Sequence, residues 1–357
     1  MKKLLHFFWF NYQKRHGDRA VYQYSNQEIQ KWAEHCLQKQ FLVHSASCET
    51  HGRVTQSKSD ILIGHLTWDP HANLSGLEGK SQRNWMLDNR LNDDSRSHPN
   101  SYVLTPWVSE FPKEWTGKMP CLEYQLENAK CIFAICGQIW LDKTLALTDS
   151  SIQSRAKSKL IRLNMCVNYD ALAIPKDKFN PRGQRKLIHV SNLGSYKGFE
   201  LLLNSTEGVT VPSIGSQALG ELKRGLANIN IFDRTYAINN CGTIANEDEA
   251  QIRALVAEHD FYLHTSTMDA QATTILEFAA RGLVPIVTPE SGFSSNDSIL
   301  LTHDAEANKE IIQRALDMPE DELVFRSRRI REQIRREHSW ERFFDTITEN
   351  INRTCEN

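Results

Sequence analysis

Phe261-Tyr-Leu-His-Thr-Ser266, Asp269-Ala-Gln-Ala-Thr-Thr-Ile-Leu-Glu277 and Phe278-Ala-Ala-Arg-Gly-Leu-Val-Pro-Ile-Val-Thr288 make up the stretch that decides the fold. The first run is short, apolar and β-favouring, and so reads as a strand. A small polar loop then carries Asp269. A helix starts near Ala272 or Thr273 and stops at Gly282, a residue that tolerates the left-handed conformation ending a helix. Val284-Pro-Ile-Val287 is the next strand. Such a βαβ unit aims free backbone N–H groups, and the positive end of a helix dipole, at whatever sits above the strand. With Asp269 before the helix and Glu277 within it, the unit suits a phosphate flanked by two hydroxyl-binding carboxylates. The plainer alternative is a structural βαβ unit with a surface Asp and a helix-face Glu, because acid-x7-acid spacing is common by chance.

The same alternation extends on both sides. Lys186–Ser191 reads as a strand, Phe199–Ser205 as a helix, and Gly208–Ile214 as strand-like; 217–226 reads as helical, 229–233 as strand-like, and 247–259 as helical. Ala305–Met318, 319–337 and Trp340–Ile351 are further helices. Strands and helices in regular succession imply a parallel, doubly wound sheet. The first half is harder to read. Strands are expected at 3–10, 60–65 and 101–105, a helix at 26–39, and a helix-plus-strand pair around 122–139. Leu160–Asn168 leads to a boundary near 175, in a segment with two prolines and several charges that suits a linker. At 357 residues the chain has the length of about two domains.

Composition removes several function classes. Forty-two Lys and Arg against 44 Asp and Glu give a net charge of −2, so no overall field draws the chain to nucleic acid. The cysteines include no Cys-x2-Cys pair, which disfavours a zinc cage and fits a reducing compartment. The apolar start, Met1 to Phe10, contains His6 and lacks a small-residue cleavage site, so it is expected to be a first buried strand rather than a signal peptide. The chain is therefore expected in the cytoplasm, and the sequons at Asn73, Asn204, Asn296 and Asn352 are chance matches. Gly79-Lys80-Ser81 imitates the tail of a P-loop, but Leu74 stands where the first Gly belongs. Asp93-Asp94 reads as two solvated acids. No Gly-x-Gly-x-x-Gly follows an expected strand, which disfavours a nicotinamide or flavin enzyme.

A nucleotide sugar consists of a ribose, a pyrophosphate and a sugar, in the order that the opening stretch suits. That stretch resembles the donor site of the family 4 (group 1) glycosyltransferases of the GT-B fold: Glu, seven residues, Glu, a small-residue helix ending in Gly, then a strand containing Pro. Asp269 replaces the first Glu, while Glu277, Ala279, Gly282 and Pro285 keep their places. Ser191-Asn-Leu-Gly-Ser-Tyr-Lys197-Gly198-Phe199 is similar to the family's segment after the first donor-domain strand, where a Lys-Gly pair ends a loop. Asn192 stands where the family has Arg. Gly242-Thr243-Ile244 matches the loop beside the nucleobase, and His338-Ser-Trp340 the start of the closing helix. The match covers roughly 168–345 well, and the first half only in general layout.

The resemblance implies two Rossmann-like, doubly wound parallel-sheet domains facing a cleft. Residues 1–174 would form the acceptor side, 175–338 the donor domain, and 339–357 a closing helix crossing back. It implies a retaining, metal-independent transfer of a sugar from a UDP- or GDP-sugar to a glycan or lipid-linked acceptor, with no cofactor beyond the donor, in bacterial surface-polysaccharide assembly. Lys197 and the amides of Ala272, Thr273 and Thr274 would carry the leaving diphosphate's charge, and Gly198 would let the backbone approach it. Asp269 would take sugar hydroxyls and Glu277 the ribose diol; Asn192, Gly242, Thr243 and Ile244 would line the donor. His65 is expected at the sugar or acceptor, and the acceptor side is otherwise unassigned. Six arginines between Arg326 and Arg336 offer a membrane contact at the inner face of the membrane, or a solvated, ion-paired helix face. The rival from another class is a non-catalytic GT-B-like module that binds nucleotide or glycan.

Overall fold

Leu4–Trp9 forms strand β1, whose Leu5 and Phe7 are buried. In this computed structural model, residues 2–9, 24–47, 57–64, 99–108, 126–127, 129–172, 176, 178–191, 195–209, 211, 213–214, 249–296 and 298–355 are described. After β1 come helix α1 (Tyr24–Leu37), β2 (Leu42–Ser47), β3 (Ile61–Gly64), β4 (Ser101–Pro106) and β5 (Cys131–Ile135). Helices α2 (Gln138–Leu147) and α3 (Ser150–Lys159) lead to β6 (Leu160–Leu163). The six strands form one sheet in the order β2-β1-β3-β4-β5-β6, every neighbouring pair parallel. β3 and β5 are buried along their whole length, as strands covered on both faces must be.

Beyond β6 lie the short helix α4 (Tyr169–Leu172), β7 (Leu187–Val190), α5 (Phe199–Ser205), β8 (Ser213–Ile214) and α6 (Glu249–Glu258). They are followed by β9 (Phe261–His264), α7 (Thr273–Ala280), β10 (Val284–Val287), β11 (Ile299–Leu300), α8 (Ala305–Leu316) and α9 (Glu320–Glu337). Their strands make a second parallel sheet, ordered β11-β10-β9-β7-β8. Of the strand expected over 208–214, Ser213–Ile214 is the extended part among the described residues; the expected helix at 217–226 and strand at 229–233 lie outside them.

The chain divides into two compact units: 1–136 with 140–164 and 340–357, and 137–139 with 165–339. The last helix, α10 (Trp340–Cys355), thus belongs to the unit built on the first sheet. Its buried positions, Trp340, Phe343, Phe344, Ile347, Thr348 and Ile351, repeat at the three- and four-residue steps of one helix face. Phe344 meets Phe7 of β1 at 6.0 Å between ring centroids, and the Tyr102 hydroxyl of β4 lies 2.7 Å from Thr354 Oγ1.

Two residues of the segment that reads as a linker are buried in the second unit. Lys176 donates to the carbonyls of Val256 (2.8 Å) and Ala257 (3.2 Å) at the end of α6, and its ammonium lies over the Phe179 ring. A lysine there closes the helix by binding its last carbonyls. Gly282 has φ +102°, the left-handed stop expected after α7, and a Cβ there would stand 2.7 Å from the Lys176 Cβ.

Candidate donor site

In the second sheet the chain runs from β7 outward to β8 on one side, and from β9 outward to β10 and β11 on the other. Where two adjacent parallel strands send their connections in opposite directions, their carboxyl ends leave a crevice that no crossover covers. Both loops carrying the expected donor residues leave from this point. After β7, Ser195–Lys197 turns once as a 3₁₀ helix and Gly198, at φ +67°, starts α5. After β9, residues 265–272 lead to α7.

The two loops are fastened together. Thr265 Oγ1 donates to the Gly198 carbonyl at 2.9 Å, while Ser266 Oγ (3.1 Å) and the Thr267 amide (2.9 Å) both donate to Tyr196 O. A Cβ at position 198 would lie 1.9 Å from Thr265 O, so glycine is needed both for this approach and for the positive φ. Behind Asp269 its own amide binds Glu290 O at 3.0 Å, and Gln271 ties Met165 N (2.6 Å) to Gly292 O (3.2 Å).

This fastening brings Lys197 and Asp269 into a direct ion pair, with side chains only 13% and 18% exposed. The same Asp269 oxygen, Oδ2, lies 3.4 Å from Nε2 of the fully buried His264. Burial alone would raise the Asp269 pKa, but the Lys197 ammonium and the His264 imidazole outweigh it and hold the carboxyl at about 2. Burial works against the charge on Lys197 as well, and Asp269 more than restores it. Burial pushes His264 down, against the pull of Asp269. A neutral imidazole donating from Nε2 to the carboxylate leaves Nδ1 as a buried acceptor without a hydrogen-bond partner among the described residues.

Ala272, at the capping position before α7, has no side-chain oxygen to cap the turn. Of the three amides expected to face a phosphate, that of Ala272 is engaged with Ser291 O at 3.2 Å. Those of Thr273 and Thr274 have no acceptor among the described residues, and they remain the outward donors of the first turn. Glu277 lies one turn further along the same helix, half-buried; desolvation pushes its pKa up to about 7, against the opposing pull of Arg281. Tyr262 locks the assembly from below. Its hydroxyl donates to Val190 O at the end of β7 and pairs with Thr274 Oγ1 at 2.8 Å.

Lys197, Gly198, Asp269, Ala272, Thr273, Thr274 and Glu277 are thus brought to one end of one sheet. His65, Asn192, Gly242, Thr243 and Ile244 lie outside the described residues. No sequence motif marks His264. Its signal is a polar residue at the end of a buried strand, two positions from Tyr262 and hence on the same face. There its ring stacks with Tyr262 at 6.1 Å and with His189 of β7 at 6.2 Å. Burial, then His264 and Lys197, depress His189 to about 3, so it is a neutral wall of the site.

On the arginine-rich face of α9, Arg326 pairs with Glu322 at 2.9 Å and Arg336 with Glu337 at 2.7 Å, while Arg329 donates to Asn296 Oδ1 at 3.4 Å. This agrees with a solvated face, and no observation supports contact with a membrane. No helix among the described residues is long and apolar enough to cross one.

No protein-family model matches the sequence, and no curated protein matches it. Solved structures do. Sucrose-phosphate synthase from Thermosynechococcus elongatus is similar over 99% of both chains, with a TM-score of 0.68 at 13% identity. A UDP-forming α,α-trehalose-phosphate synthase from Burkholderia vietnamiensis is similar over 71% of this chain and 69% of its own, with a TM-score of 0.54 at 14% identity. TarM is similar over 84% of this chain and 56% of its own, with a TM-score of 0.56 at 16% identity. At these identities the likeness establishes architecture: the chain has the GT-B fold, with two Rossmann-like domains on parallel sheets.

Proposed function

We propose that this chain is a glycosyltransferase of the family 4 type, and that it transfers a sugar from a UDP- or GDP-sugar to a glycan or lipid-linked acceptor with retention of anomeric configuration. The observation that carries the reading is the meeting of Lys197 and Asp269 beside the uncapped start of α7, at the sheet's switch point. In this reading the unit on the second sheet is the donor domain and the unit on the first serves the acceptor. The cytoplasm and bacterial surface-polysaccharide assembly are the setting that the family resemblance suggests.

Breaking the anomeric C–O bond sends its electron pair to the leaving phosphate. Lys197 and the amides of Thr273 and Thr274 oppose that growing negative charge, and they act most strongly late in the reaction. Asp269 accepts hydrogen bonds from sugar hydroxyls, and Glu277 from the ribose diol. The acceptor oxygen forms the new bond to the anomeric carbon, and its proton passes to an oxygen of the leaving phosphate. Cationic and amide donors at the leaving group make a divalent ion unnecessary, so transfer should continue in EDTA. Loss of activity in chelator, restored by Mg²⁺ or Mn²⁺, would overturn this part.

A thermal-shift screen of UDP, GDP, ADP and CMP and their sugars tests the whole reading. A ligand at 100 times its Kd stabilises the folded state by about 2.7 kcal/mol, so a true donor gives a clear rise in melting temperature. If no nucleotide stabilises the protein, the donor site is misassigned. Binding without turnover on any acceptor would select the non-catalytic module instead. Structural neighbours are named as synthases of sucrose-phosphate and trehalose-phosphate, so sugar phosphates belong in the acceptor panel beside glycans and lipid-linked sugars.

A further inference from the structure

Asp269 and a nucleotide's diphosphate would call on the same ammonium. Lys197 Nζ reaches the carboxylate from a backbone pinned by Gly198 against Thr265, with the Tyr196 ring 5.2 Å from the charge. Asp269 is pinned in turn by its amide bond to Glu290 O and by His264 at 3.4 Å. Neither side chain is more than 18% exposed, so solvent screens the pair far less than a surface ion pair.

We infer that Asp269 competes with the diphosphate for Lys197, and that this competition lets the site distinguish the nucleotide sugar from the nucleoside diphosphate left after transfer. The inference rests on the donor-site reading above. An intact donor offers an anion to Lys197 and hydroxyl donors to Asp269, so both partners of the pair exchange one contact for another. A nucleoside diphosphate offers the anion alone. The carboxylate then loses its ammonium and faces a second negative charge in a poorly screened site, where like charges repel strongly. Specificity arises here from a penalty on the wrong ligand as much as from contacts to the right one. The pair re-forms once the sugar has left, and so favours release of the product.

Calorimetric titration of UDP, GDP, inorganic pyrophosphate, UDP-glucose and GDP-mannose into the native protein, Asp269→Asn and Asp269→Glu tests this. Asp269→Asn should bind the nucleoside diphosphate and pyrophosphate about tenfold more tightly or better. It should not bind the nucleotide sugar correspondingly better, so the preference for the intact donor collapses. Asp269→Glu keeps the charge and should keep the native preference. Asp269→Ser carries the same expectation as Asn if the Asn variant does not fold. A native protein that binds a nucleoside diphosphate, with charge-free variants that bind it equally or less tightly, overturns the inference and leaves the donor-site reading standing. A native protein that binds none of these probes overturns both.

Discussion

Burial lifts the Glu277 pKa from 4.5 to about 7, against the opposing pull of Arg281, so its charge changes near neutral pH. A carboxyl whose folded pKa is raised contributes stability that is fully present below the unfolded value and lost as pH rises through the folded value. Glu277→Gln removes this dependence. Its melting temperature should match the native protein's at pH 4.5 and exceed it at pH 8, and a difference that stays flat over this range would refute the assignment. Binding responds in the opposite sense, since a ribose diol donates best to the ionised form. Nucleotide affinity should rise from pH 6 to 8 in the native protein and stay level in Glu277→Gln, and Glu277→Ala should lower turnover by about 100-fold through loss of charge-assisted hydrogen bonds. At this scale the sequence is legible wherever chemistry sits in a spaced pattern, as at Lys197, Asp269 and Glu277. His264 has no such pattern. Its importance comes from the stack with Tyr262 and His189, a contact across two strands far apart in the chain.

Helix α7 is held at the crevice by one phenol. Tyr262 is fully buried, and its hydroxyl joins the end of β7 to the first turn of α7 through Val190 O and Thr274 Oγ1. Tyr262→Phe deprives a buried carbonyl and a hydroxyl of their shared partner, which should cost about 1–2 kcal/mol in urea unfolding and weaken nucleotide binding. An unchanged unfolding midpoint would show that the hydroxyl bears no part of the connection. Elements with strong periodicity or clear stops, such as α5, α7 and α9, follow from the sequence nearly to the residue, and α10 starts where expected but runs four residues past Ile351 to Cys355. α3 does not, because it is polar almost throughout, buries only Ala156 and depends on Asp149, whose carboxylate caps Ser151 N at 2.9 Å and Ile152 N at 3.0 Å. The 173–181 segment misleads for a related reason: charge and proline suggest an exposed linker, yet Lys176 is buried because α6 presents it with two carbonyls.

The alternation of strands and helices in the second half is enough to imply a parallel sheet, and the switch point between β7 and β9 follows from the order of its strands. In the first half the sheet is equally regular, but β2 has little apolar character and long polar stretches separate the other strands, so the pattern is diluted. The two units also differ in a way that allows each to be followed separately. The chain segments of the second unit, 137–139 and 165–339, contain no tryptophan. Tryptophan fluorescence therefore reports the first unit alone, whereas far-ultraviolet circular dichroism reports both. Phe344 is fully buried against Phe7, and Phe343 lies 5.0 Å from it, so Phe344→Ala opens a cavity in that unit worth about 3–5 kcal/mol. The unfolding free energy read by fluorescence in urea should fall by that amount, while circular dichroism keeps a later phase from the second unit, with native affinity for nucleoside diphosphate below the first transition. Two probes that shift together would mean that the units unfold as one and that the last helix stabilises the whole chain.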